Sequence, residues 1–513
     1  MTRPPAPPTQ GMVATSTPDA AAAGAATLRR GGNAVDAAVA TAAAAAVVEP
    51  CSNGFGGDVA ALVWFDGTLH GINGTGAYPR DGTASDIDSF GPSSITVPGG
   101  IGTWAALHER FGVLTLQQVL EPAVDLADNG FELTESTAAG WRRGWEGYRS
   151  VADRRWFAEW TAEFGAPPAA GDVRRSSSQA GTLRQFSEVG LRDFYHGELA
   201  HRIADTVRRH GGTLSTHDLE SYAPEWVTPI SVAYHGHDVW GLPPNIQGTV
   251  ALQALGMLDS LDVDIPSTHQ AIEAVKLAFA DTDRYLGDSH AMTVTADDLL
   301  DPAYLAKRAT RIGNTARVHG PGRPPNGGTI YLATSDRHGN SVSLLQSNYR
   351  YFGSGVVVPG TGIALHNRAS AFDSGDGRPN SASPGRRPRH TIVPGFVTEQ
   401  GRAVGPLGVM GAAMQPQGQV QLLTHMIDDG ATPQQALNRP RWKWTDGNTV
   451  HIEHDFPPES EQDLMRRGHL VTRLSPDLTG AAPFGRGQII HRTQDGVVRA
   501  GTDPRVDGAI ASC

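Results

Sequence analysis

The sequence predicts a large fold of mixed helices and strands, built either as one α/β unit or as two lobes. Its 513 residues exceed the length of a typical single domain. Residues 11–130 alternate alanine-rich helical patterns with strand patterns, residues 181–310 are mainly helical, and residues 329–513 are strand-rich with a helix near 415–429. The composition, 39% hydrophobic with 61 glycines and 35 prolines, is typical of a globular, loop-rich protein.

The N-terminal part opens with two helices made mostly of alanine. Asp19 is expected to cap the first helix, which stops at a Gly-Gly pair. Asn33 is expected to cap the second helix, which runs through Val48. The segments ALVWFDGTLHGING and SSITVPGGIGTW then predict a hairpin and a strand that ends in a glycine-rich turn, and a helical pattern covers residues 104–131.

Residues 137–165 carry two tryptophan pairs with helical spacing. Trp141 and Trp145 are four residues apart, as are Trp156 and Trp160, so each pair shares one face of a helix. Such a face is either buried against the body of the protein or forms an aromatic cover over an apolar ligand.

Charge and cysteine content exclude several classes of function. The formal net charge is −11 and only three residues are lysine, so the chain has no global basic field for nucleic acid. Cys51 and Cys513 are the only cysteines, which excludes a disulfide framework and a cysteine zinc site. The N-terminus lacks the apolar core of a signal peptide, and Ala37–Val48 is too short and too weakly apolar to span a bilayer. We therefore expect a soluble cytoplasmic protein with no nucleic-acid or membrane partner.

The sequence also lacks a convincing cofactor or metal motif. Gly100–Ala105 fits G-x-G-x-x-A, but helical residues follow where a dinucleotide fold needs a second parallel strand ending in an acid. The chain contains no P-loop and no G-x-S-x-G elbow. His451 and His454, in the sequence HIEHD, are interpreted as surface residues. We expect no cofactor and no metal.

At Gly328 a linker meets a β-hairpin. Residues 319–328 (HGPGRPPNGG) predict an exposed, flexible connection, and TIYLATS and SVSLLQS, joined by a turn, predict the hairpin. Thr329 therefore stands at the first position of a strand, where a self-cleaving enzyme exposes a new N-terminus. The freed α-amino group has a pKa of about 7.7–8.0, which suits a general base for the otherwise weak threonine nucleophile. From this segment alone, an ordinary loop-to-strand junction is the alternative.

Four long motifs follow one another along the chain: GMVATSTPDAAAAGAATLRRGGNAVDAAVA, VVEPCSNGFGGD, GNSVSLLQSNYRYFGSGVVVPGTGIALHNR and GTDPRVDG. Together they resemble the γ-glutamyltransferase family of N-terminal nucleophile hydrolases, also known as γ-glutamyltranspeptidases or glutathione hydrolases. The resemblance covers essentially the whole chain. The phrases TIYLATSDRHGN and VMGAAMQPQGQ are similar to the bacterial γ-glutamyltransferase-like branch.

The resemblance implies an α+β fold, a four-layer αββα sandwich of the N-terminal nucleophile hydrolase type. It also implies a proenzyme that cuts itself between Gly328 and Thr329. Residues 1–328 would then be a helix-rich large subunit that ends in the linker. Residues 329–513 would be a small subunit that begins with the threonine nucleophile, and the two subunits would remain associated.

The catalytic residues also follow from the resemblance. Thr329 falls at the nucleophile, although the family's commoner Thr-Thr-His is Thr-Ile-Tyr here. Ser347 takes the place of the second threonine, which steadies the nucleophile, and serine keeps the hydroxyl group. Gly411 and Ala412 fall at the paired oxyanion-hole glycines, whose backbone N–H groups stabilise the oxyanion. Alanine is compatible with that role if its backbone angles are ordinary.

Departures from the family pattern fall on the substrate contacts. Thr75 stands where γ-glutamyl transferases carry an arginine for the substrate α-carboxylate, so a bidentate clamp is missing. Arg368 and Ala371 replace the acidic residues that bind the substrate amino group. A glutamyl zwitterion should therefore bind poorly. Arg368 suggests a carboxylate-bearing acyl group, unless it is a salt-bridged structural arginine. Three further residues are candidates for substrate binding. His390 and Thr391 fall at the family's serine pair for the substrate carboxylate, and Tyr349 follows Ser347 by two residues.

We therefore expect an N-terminal threonine hydrolase or acyltransferase that cleaves the amide bond of a small acyl or γ-glutamyl-like substrate through an acyl-enzyme. One alternative is a hydrolase of carbon–carbon bonds, or an acylase, that serves specialised antibiotic metabolism with the same threonine. A second alternative is an inactive scaffold or binding protein. The presence of Thr329, Ser347 and Gly411 together favours an enzyme.

Overall fold

The computed structural model describes residues 11–261, 263–319, 328–375, 377–475 and 483–513. Within these ranges the strands are β1 (Gly11–Thr15), β2 (Asp58–Phe65), β3 (Thr68–Gly74), β4 (Phe131–Glu132), β5 (Val173–Arg174), β6 (Glu225–Val227), β7 (Ile230–Tyr234), β8 (His237–Gly241), β9 (Gly328–Asp336), β10 (Ser341–Tyr349), β11 (Val357–Val358), β12 (Ile363–Ala364), β13 (Gly395–Glu399), β14 (Arg402–Met410), β15 (Trp442–Asp446), β16 (Thr449–Ile452), β17 (Leu470–Arg473), β18 (Arg486–Arg492), β19 (Val498–Thr502) and β20 (Ala509–Ser512).

The α-helices in the same ranges are α1 (Pro18–Arg29), α2 (Ala34–Val48), α3 (Gly100–Phe111), α4 (Leu116–Asn129), α5 (Glu135–Gly147), α6 (Arg155–Phe164), α7 (Ser177–Val189), α8 (Asp193–His196), α9 (Glu198–Arg209), α10 (Thr216–Glu220), α11 (Thr249–Asp259), α12 (Thr268–Tyr285), α13 (Ala296–Leu300), α14 (Pro302–Ala309), α15 (Met414–Ile427), α16 (Pro433–Asn438) and α17 (Pro458–Arg466). Short 3-10 helices are found at Ala84–Asp86, Pro92–Ser94, Tyr148–Val151, Ser289–Ala291 and Arg368–Ala371.

Two antiparallel sheets form the centre of the molecule. The seven-stranded sheet has the order β20-β1-β9-β10-β2-β3-β6, and the six-stranded sheet has the order β19-β18-β14-β13-β8-β7. Smaller sheets join β15-β16-β17, β11-β12 and β4-β5.

Side chains alternate between the two faces of each central sheet, which produces four layers. In β9, Ile330 and Leu332 pack in a core with α2, α3 and α4, whereas Tyr331 packs in the layer between the sheets. In β14, Val409 packs in a core with α11, α12 and α15, whereas Met410 lies in the same inter-sheet layer as Tyr331. The layer order is therefore helices, sheet, sheet, helices, which confirms the predicted αββα sandwich.

Both sheets combine strands from before and after residue 328. In the seven-stranded sheet, β9 lies between β1 and β10, and β10 pairs with β2. In the six-stranded sheet, β13 pairs with β8. The segments 1–328 and 329–513 therefore form one α/β unit rather than two lobes, and backbone hydrogen bonds join them within each sheet.

The N-terminal helices differ from the prediction at one capping residue. Pro18 is the first residue of α1 and Thr17 is its N-cap residue, so Asp19 lies in the first turn and its predicted capping role is wrong. Asn33 caps α2 as predicted, because its side chain accepts hydrogen bonds from two backbone N–H groups of the first turn. The helical pattern predicted over residues 104–131 corresponds to two helices, α3 and α4.

The tryptophan pairs lie on α5 and α6 and are largely buried. Trp141 and Trp160 are fully buried, and their rings lie 5.0 Å and 5.1 Å from the ring of Phe352. Phe352 belongs to the loop that follows β10. The aromatic cluster therefore packs against this loop, which favours the interpretation of a buried helix face.

The predicted linker falls mostly on residues 320–327, which lie outside the described residues. His319 precedes them, and its Nε2 atom lies 2.7 Å from a carboxylate oxygen of Glu273 on α12. Among the helices that the structure describes, none has the length and apolarity required to cross a membrane.

Candidate active site

Thr329 lies at the start of β9, on the face turned toward the second sheet. Its side chain has the same alternation as Tyr331, which packs between the sheets. Thr329 is 2% exposed, and its Oγ1 lies 3.1 Å from Oγ of Ser347. The two predicted hydroxyl groups are therefore in hydrogen-bond contact.

Ser347 occupies a bulge at the end of β10. The register between β9 and β10 shifts between Gln346 and Tyr349, and Tyr349 has a φ of 73°. The Oγ of Ser347 accepts a hydrogen bond from the backbone N–H of Tyr349 at 2.9 Å and another from Nη2 of Arg368 at 3.4 Å. The bulge thus places the serine hydroxyl between the threonine and the arginine.

Arg368 begins a 3-10 helix and is 1% exposed. Its guanidinium carbon lies 4.0 Å from the ring centroid of Tyr349, and Nη1 donates to Oγ1 of Thr391 at 3.2 Å. No carboxylate in the described part of the chain lies within 4.0 Å of this guanidinium. Burial lowers the pKa of Arg368 to about 10, so the side chain stays cationic at neutral pH. This geometry does not match a salt-bridged structural arginine.

Asp58 is a site residue that the sequence analysis does not identify. It begins β2, and its Cα lies opposite that of Ser347 in the register with β10. Asp58 is fully buried; its Oδ2 accepts from Nε2 of His390 at 3.0 Å and its Oδ1 accepts from the backbone N–H of Gly99 at 3.0 Å. Burial raises the pKa of Asp58 to about 7, although the charge of Arg368 opposes this rise. The available signal is an acidic residue that ends the motif GFGGD and begins an apolar strand.

His366 and His390 both direct Nε2 toward Asp58, at 3.7 Å and 3.0 Å from its carboxylate oxygens. The Nδ1 atoms accept hydrogen bonds from the backbone N–H groups of Arg368 at 3.1 Å and Ile392 at 3.3 Å. A neutral ring in this setting carries its proton on Nε2. Burial lowers the pKa of both imidazoles, to about 3 for His366, so both rings are neutral at neutral pH.

Thr75 is buried, and its hydroxyl group is held by two asparagines. The Oγ1 atom donates to Oδ1 of Asn73 at 2.8 Å and lies 3.2 Å from Oδ1 of Asn245. The backbone carbonyl of Asn245 accepts from the N–H of His390 at 2.9 Å. Thr75 is thus connected to the His390 segment, and a direct contact with substrate stays a prediction.

Gly411 and Ala412 form the turn between β14 and α15. Their φ angles are 129° and 51°. The condition that Ala412 has ordinary backbone angles is therefore not met, because its φ lies in the left-handed region, which costs a non-glycine residue about 1–2 kcal/mol. The carbonyl of Ala412 accepts from Nε2 of Gln247 at 3.3 Å, and the backbone N–H of Gln247 donates to the carbonyl of His390 at 2.9 Å. The turn is thereby tied to the candidate substrate-binding segment.

Replacing Ala412 with glycine is expected to stabilise the fold by about 1 kcal/mol, because glycine adopts a positive φ without the Cβ clash. Urea unfolding of the Thr329→Ala protein, which we expect to stay uncut, measures this difference with and without the change at Ala412. Ala413→Gly is the matched control. Because Ala413 has a φ of −67°, its replacement by glycine should destabilise the fold instead. A loss of stability in both variants would contradict the strain at Ala412.

A second buried polar cluster lies away from these residues. His269, Glu273 and His469 each place one possible metal-ligand atom within 4.8 Å of the other two. However, His269 Nδ1 and His469 Nε2 are hydrogen-bonded to each other at 2.8 Å, and Glu273 holds Nζ of Lys276 at 2.6 Å and Nε2 of His319 at 2.7 Å. An ammonium group on the only carboxylate of the cluster disfavours a second cation. We interpret this cluster as a hydrogen-bonded network that fixes α12.

Three comparisons place the chain among known proteins. The family model described as Gamma-glutamyltranspeptidase matches residues 20–513. The glutathione hydrolase-like YwrD proenzyme of Bacillus subtilis (strain 168) is 34% identical over 487 residues, which cover 90% of this chain and 91% of the relative. The oxamate amidohydrolase proenzyme of Klebsiella pneumoniae is 32% identical over 488 residues, which cover 91% of each chain.

A solved structure shares the fold over the full length. The crystal structure of cephalosporin acylase from Bacillus halodurans has a TM-score of 0.94 and 43% sequence identity to this chain. The match covers 100% of this chain and 98% of the acylase. This structural match therefore extends over both central sheets and over every candidate site residue.

Proposed function

Because this chain belongs to the gamma-glutamyltranspeptidase family of N-terminal nucleophile hydrolases, we propose that it cuts itself between Gly328 and Thr329 and then hydrolyses the amide of an acyl group that carries a carboxylate. Its relatives include proenzymes of amide hydrolases and acylases, which supports amide hydrolysis after self-processing. In this proposal Thr329 is the nucleophile, and Arg368 binds the carboxylate of the acyl group.

The observation that carries the proposal is a continuous path of polar contacts from the nucleophile to a buried cation. Thr329 Oγ1 lies 3.1 Å from Ser347 Oγ, which lies 3.4 Å from Nη2 of Arg368. The same guanidinium donates to Thr391 at 3.2 Å. We call the region around Ser347, Arg368 and Thr391 the acyl pocket. A short acyl group whose carbonyl meets Thr329 would direct its far end toward Arg368.

The reaction uses the α-amino group that the cut releases at Thr329. This amine accepts the proton of Oγ1 as Oγ1 bonds to the amide carbon, and the backbone N–H groups of Gly411 and Ala412 stabilise the oxyanion. The tetrahedral intermediate collapses with loss of the C–N bond, and the leaving amine takes the proton from the α-ammonium group. Water then attacks the acyl ester with the same amine as base, which releases the acid and restores the Thr329 hydroxyl.

The charge of the acyl pocket supports a carboxylate rather than a glutamyl zwitterion. A guanidinium binds a carboxylate through paired, charge-assisted hydrogen bonds. It repels the ammonium group of a γ-glutamyl substrate. Oxamate, the compound named for the Klebsiella relative, is itself an amide with a carboxylate.

A panel of anilides with one leaving group and different acyl groups tests the proposal. Purified, processed enzyme should hydrolyse oxalyl or glutaryl anilides, whose acyl groups carry a carboxylate, at least about tenfold more efficiently than the γ-glutamyl anilide. This follows because each lost charge-assisted hydrogen bond costs about 1.5–3 kcal/mol. Mass spectrometry identifies the products. Equal efficiency on the γ-glutamyl anilide would show that other residues replace the missing clamp, and products of carbon–carbon cleavage would identify a different reaction.

A further inference from the structure

Asp58 and Arg368 are opposite charges buried in the same region between the sheets. Their side chains are 0% and 1% exposed, respectively, and they lie more than 4.0 Å apart. Each still acts on the other: Arg368 lowers the pKa of Asp58, and Asp58 raises the pKa of Arg368, although burial has the larger effect on both. The pair is therefore coupled through space, with donors of Arg368 directed at Ser347 and Thr391 rather than at the acid.

Two neutral histidines connect the acid to the arginine. His366 directs Nε2–H toward Asp58 and toward Oγ1 of Thr96 at 3.4 Å, and its Nδ1 accepts the backbone N–H of Arg368. His390 donates to Asp58 and directly precedes Thr391, the hydroxyl partner of the guanidinium. The carboxylate is thus fixed by the same two segments that position Arg368, at a constant separation from it.

We propose, building on the function proposed above, that Asp58 is a specificity-determining residue: as the counter-ion of Arg368, it sets the net charge that the acyl pocket presents to a substrate carboxylate. When Asp58 is ionised, the two charges balance, and a bound carboxylate leaves one uncompensated negative charge in a buried region. When Asp58 is protonated, the carboxylate alone balances Arg368. Binding of a carboxylate substrate therefore takes up one proton at Asp58.

Apart from the Thr329 amine of the processed enzyme, the neighbouring titratable groups keep a single charge state near neutral pH. Burial lowers the pKa values of the imidazoles and raises those of the phenols, and the cations stay charged; these neighbours are His366, His390, Tyr195, Tyr222, Arg368 and Arg387. Burial raises the pKa of Asp58 to about 7. Affinity for a carboxylate substrate should therefore fall as the pH rises through about 7.

The test compares two substrates, so that the titration of the Thr329 amine cancels. This amine, with a pKa of about 7.7–8.0, affects every substrate alike. The measured quantity is the ratio of kcat/KM for glutaryl anilide to kcat/KM for its neutral glutaramide isostere. In the wild-type enzyme this ratio should fall about tenfold between about pH 6 and about pH 8.5. A ratio that does not change with pH would overturn the role of Asp58.

Asp58→Asn imitates the protonated acid in shape and charge. The ratio in this variant should be independent of pH, and at about pH 8.5 it should exceed the wild-type ratio about tenfold. A residue with a merely structural role would not raise selectivity when removed. Asp283→Asn is the matched control. Burial raises the pKa of Asp283 to about 6, and it pairs with Arg389 at 3.2 Å, yet its removal should leave the wild-type pH dependence in place. If the kcat/KM ratio of Asp58→Asn declined with pH as it does in the wild-type enzyme, the inference would be overturned.

A binding measurement covers the case in which Asp58→Asn fails to fold. Calorimetry of glutarate binding to processed wild-type enzyme, in two buffers of different ionisation enthalpy at about pH 7, where the Thr329 amine is already mostly protonated, should show uptake of up to about half a proton. Binding without proton uptake would overturn the inference. A different result would contradict the proposed function itself. The enzyme would then prefer the neutral isostere, or neither of the two substrates, at every pH.

Discussion

Replacing Thr329 with alanine should leave one uncut chain that has lost hydrolase activity by at least about a thousandfold. The Thr329 hydroxyl lies in the inter-sheet layer against Ser347 and serves, in the proposed function, first in self-cleavage and then in acyl transfer. Gel electrophoresis and mass spectrometry detect the cut. N-terminal sequencing of the smaller wild-type fragment should begin TIYLA. A full-length chain that remains active would contradict a mechanism with an N-terminal threonine.

Another threonine of the same strand provides the control. Thr334 is also buried, but its Oγ1 donates to the carbonyl of Ala34 on the helix-facing side of β9. Thr334→Ala should therefore still cut itself and hydrolyse substrate. Thr329→Ser should retain a slower self-cleavage, because serine keeps the nucleophilic oxygen.

Arg368→Met should lower kcat/KM for a carboxylate-bearing anilide about ten- to a hundredfold, which corresponds to about 1.4–2.8 kcal/mol. Methionine keeps much of the side-chain length and removes the charge. The neutral isostere should lose little, because it does not use the cation. Steady-state kinetics on both substrates measure the difference, and equal losses on both would indicate that Arg368 shapes the site rather than binds the acyl carboxylate.

Arg441→Met is the control for removal of a buried arginine. Arg441 is as deeply buried as Arg368, with exposures of 2% and 1%, but it forms an ion pair with Asp503 at 2.7 Å. Breaking a buried pair of this kind typically costs about 3–5 kcal/mol, so Arg441→Met should reduce stability without changing substrate preference. Comparison of the two variants thus distinguishes an arginine with a structural role from one that binds a ligand.

Local patterns in the sequence predicted much of the fold. Asn33 is followed by a long alanine-rich run, and both the cap and the helix end are where that pattern places them. The Asp19 cap was wrong because a proline at the first helical position moves the N-cap to Thr17. Both outcomes depend on neighbours within a few residues, which a sequence pattern can record.

The electrostatics of the site depend on strand register and could not be read from such patterns. Asp58 meets Ser347 only because β2 pairs with β10 in one particular alignment. The left-handed φ of Ala412 likewise reflects the turn from β14 into α15 rather than any preference of alanine. The family resemblance supplied Thr329, Ser347 and Arg368, but their contact distances come from the bulged pairing of β9 with β10 and from the position of the 3-10 helix that begins at Arg368.

Because both sheets combine strands from before and after residue 328, the proposed self-cleavage has a kinetic consequence. Before the cut, β9 and its neighbours β1 and β10 belong to one polymer, so unfolding and refolding are unimolecular. After the cut, a denatured enzyme can rebuild the seven-stranded sheet only when two separate polypeptides meet, and recovery becomes dependent on concentration. Processing would thus convert a reversible fold into one that, once lost in dilute solution, is recovered slowly.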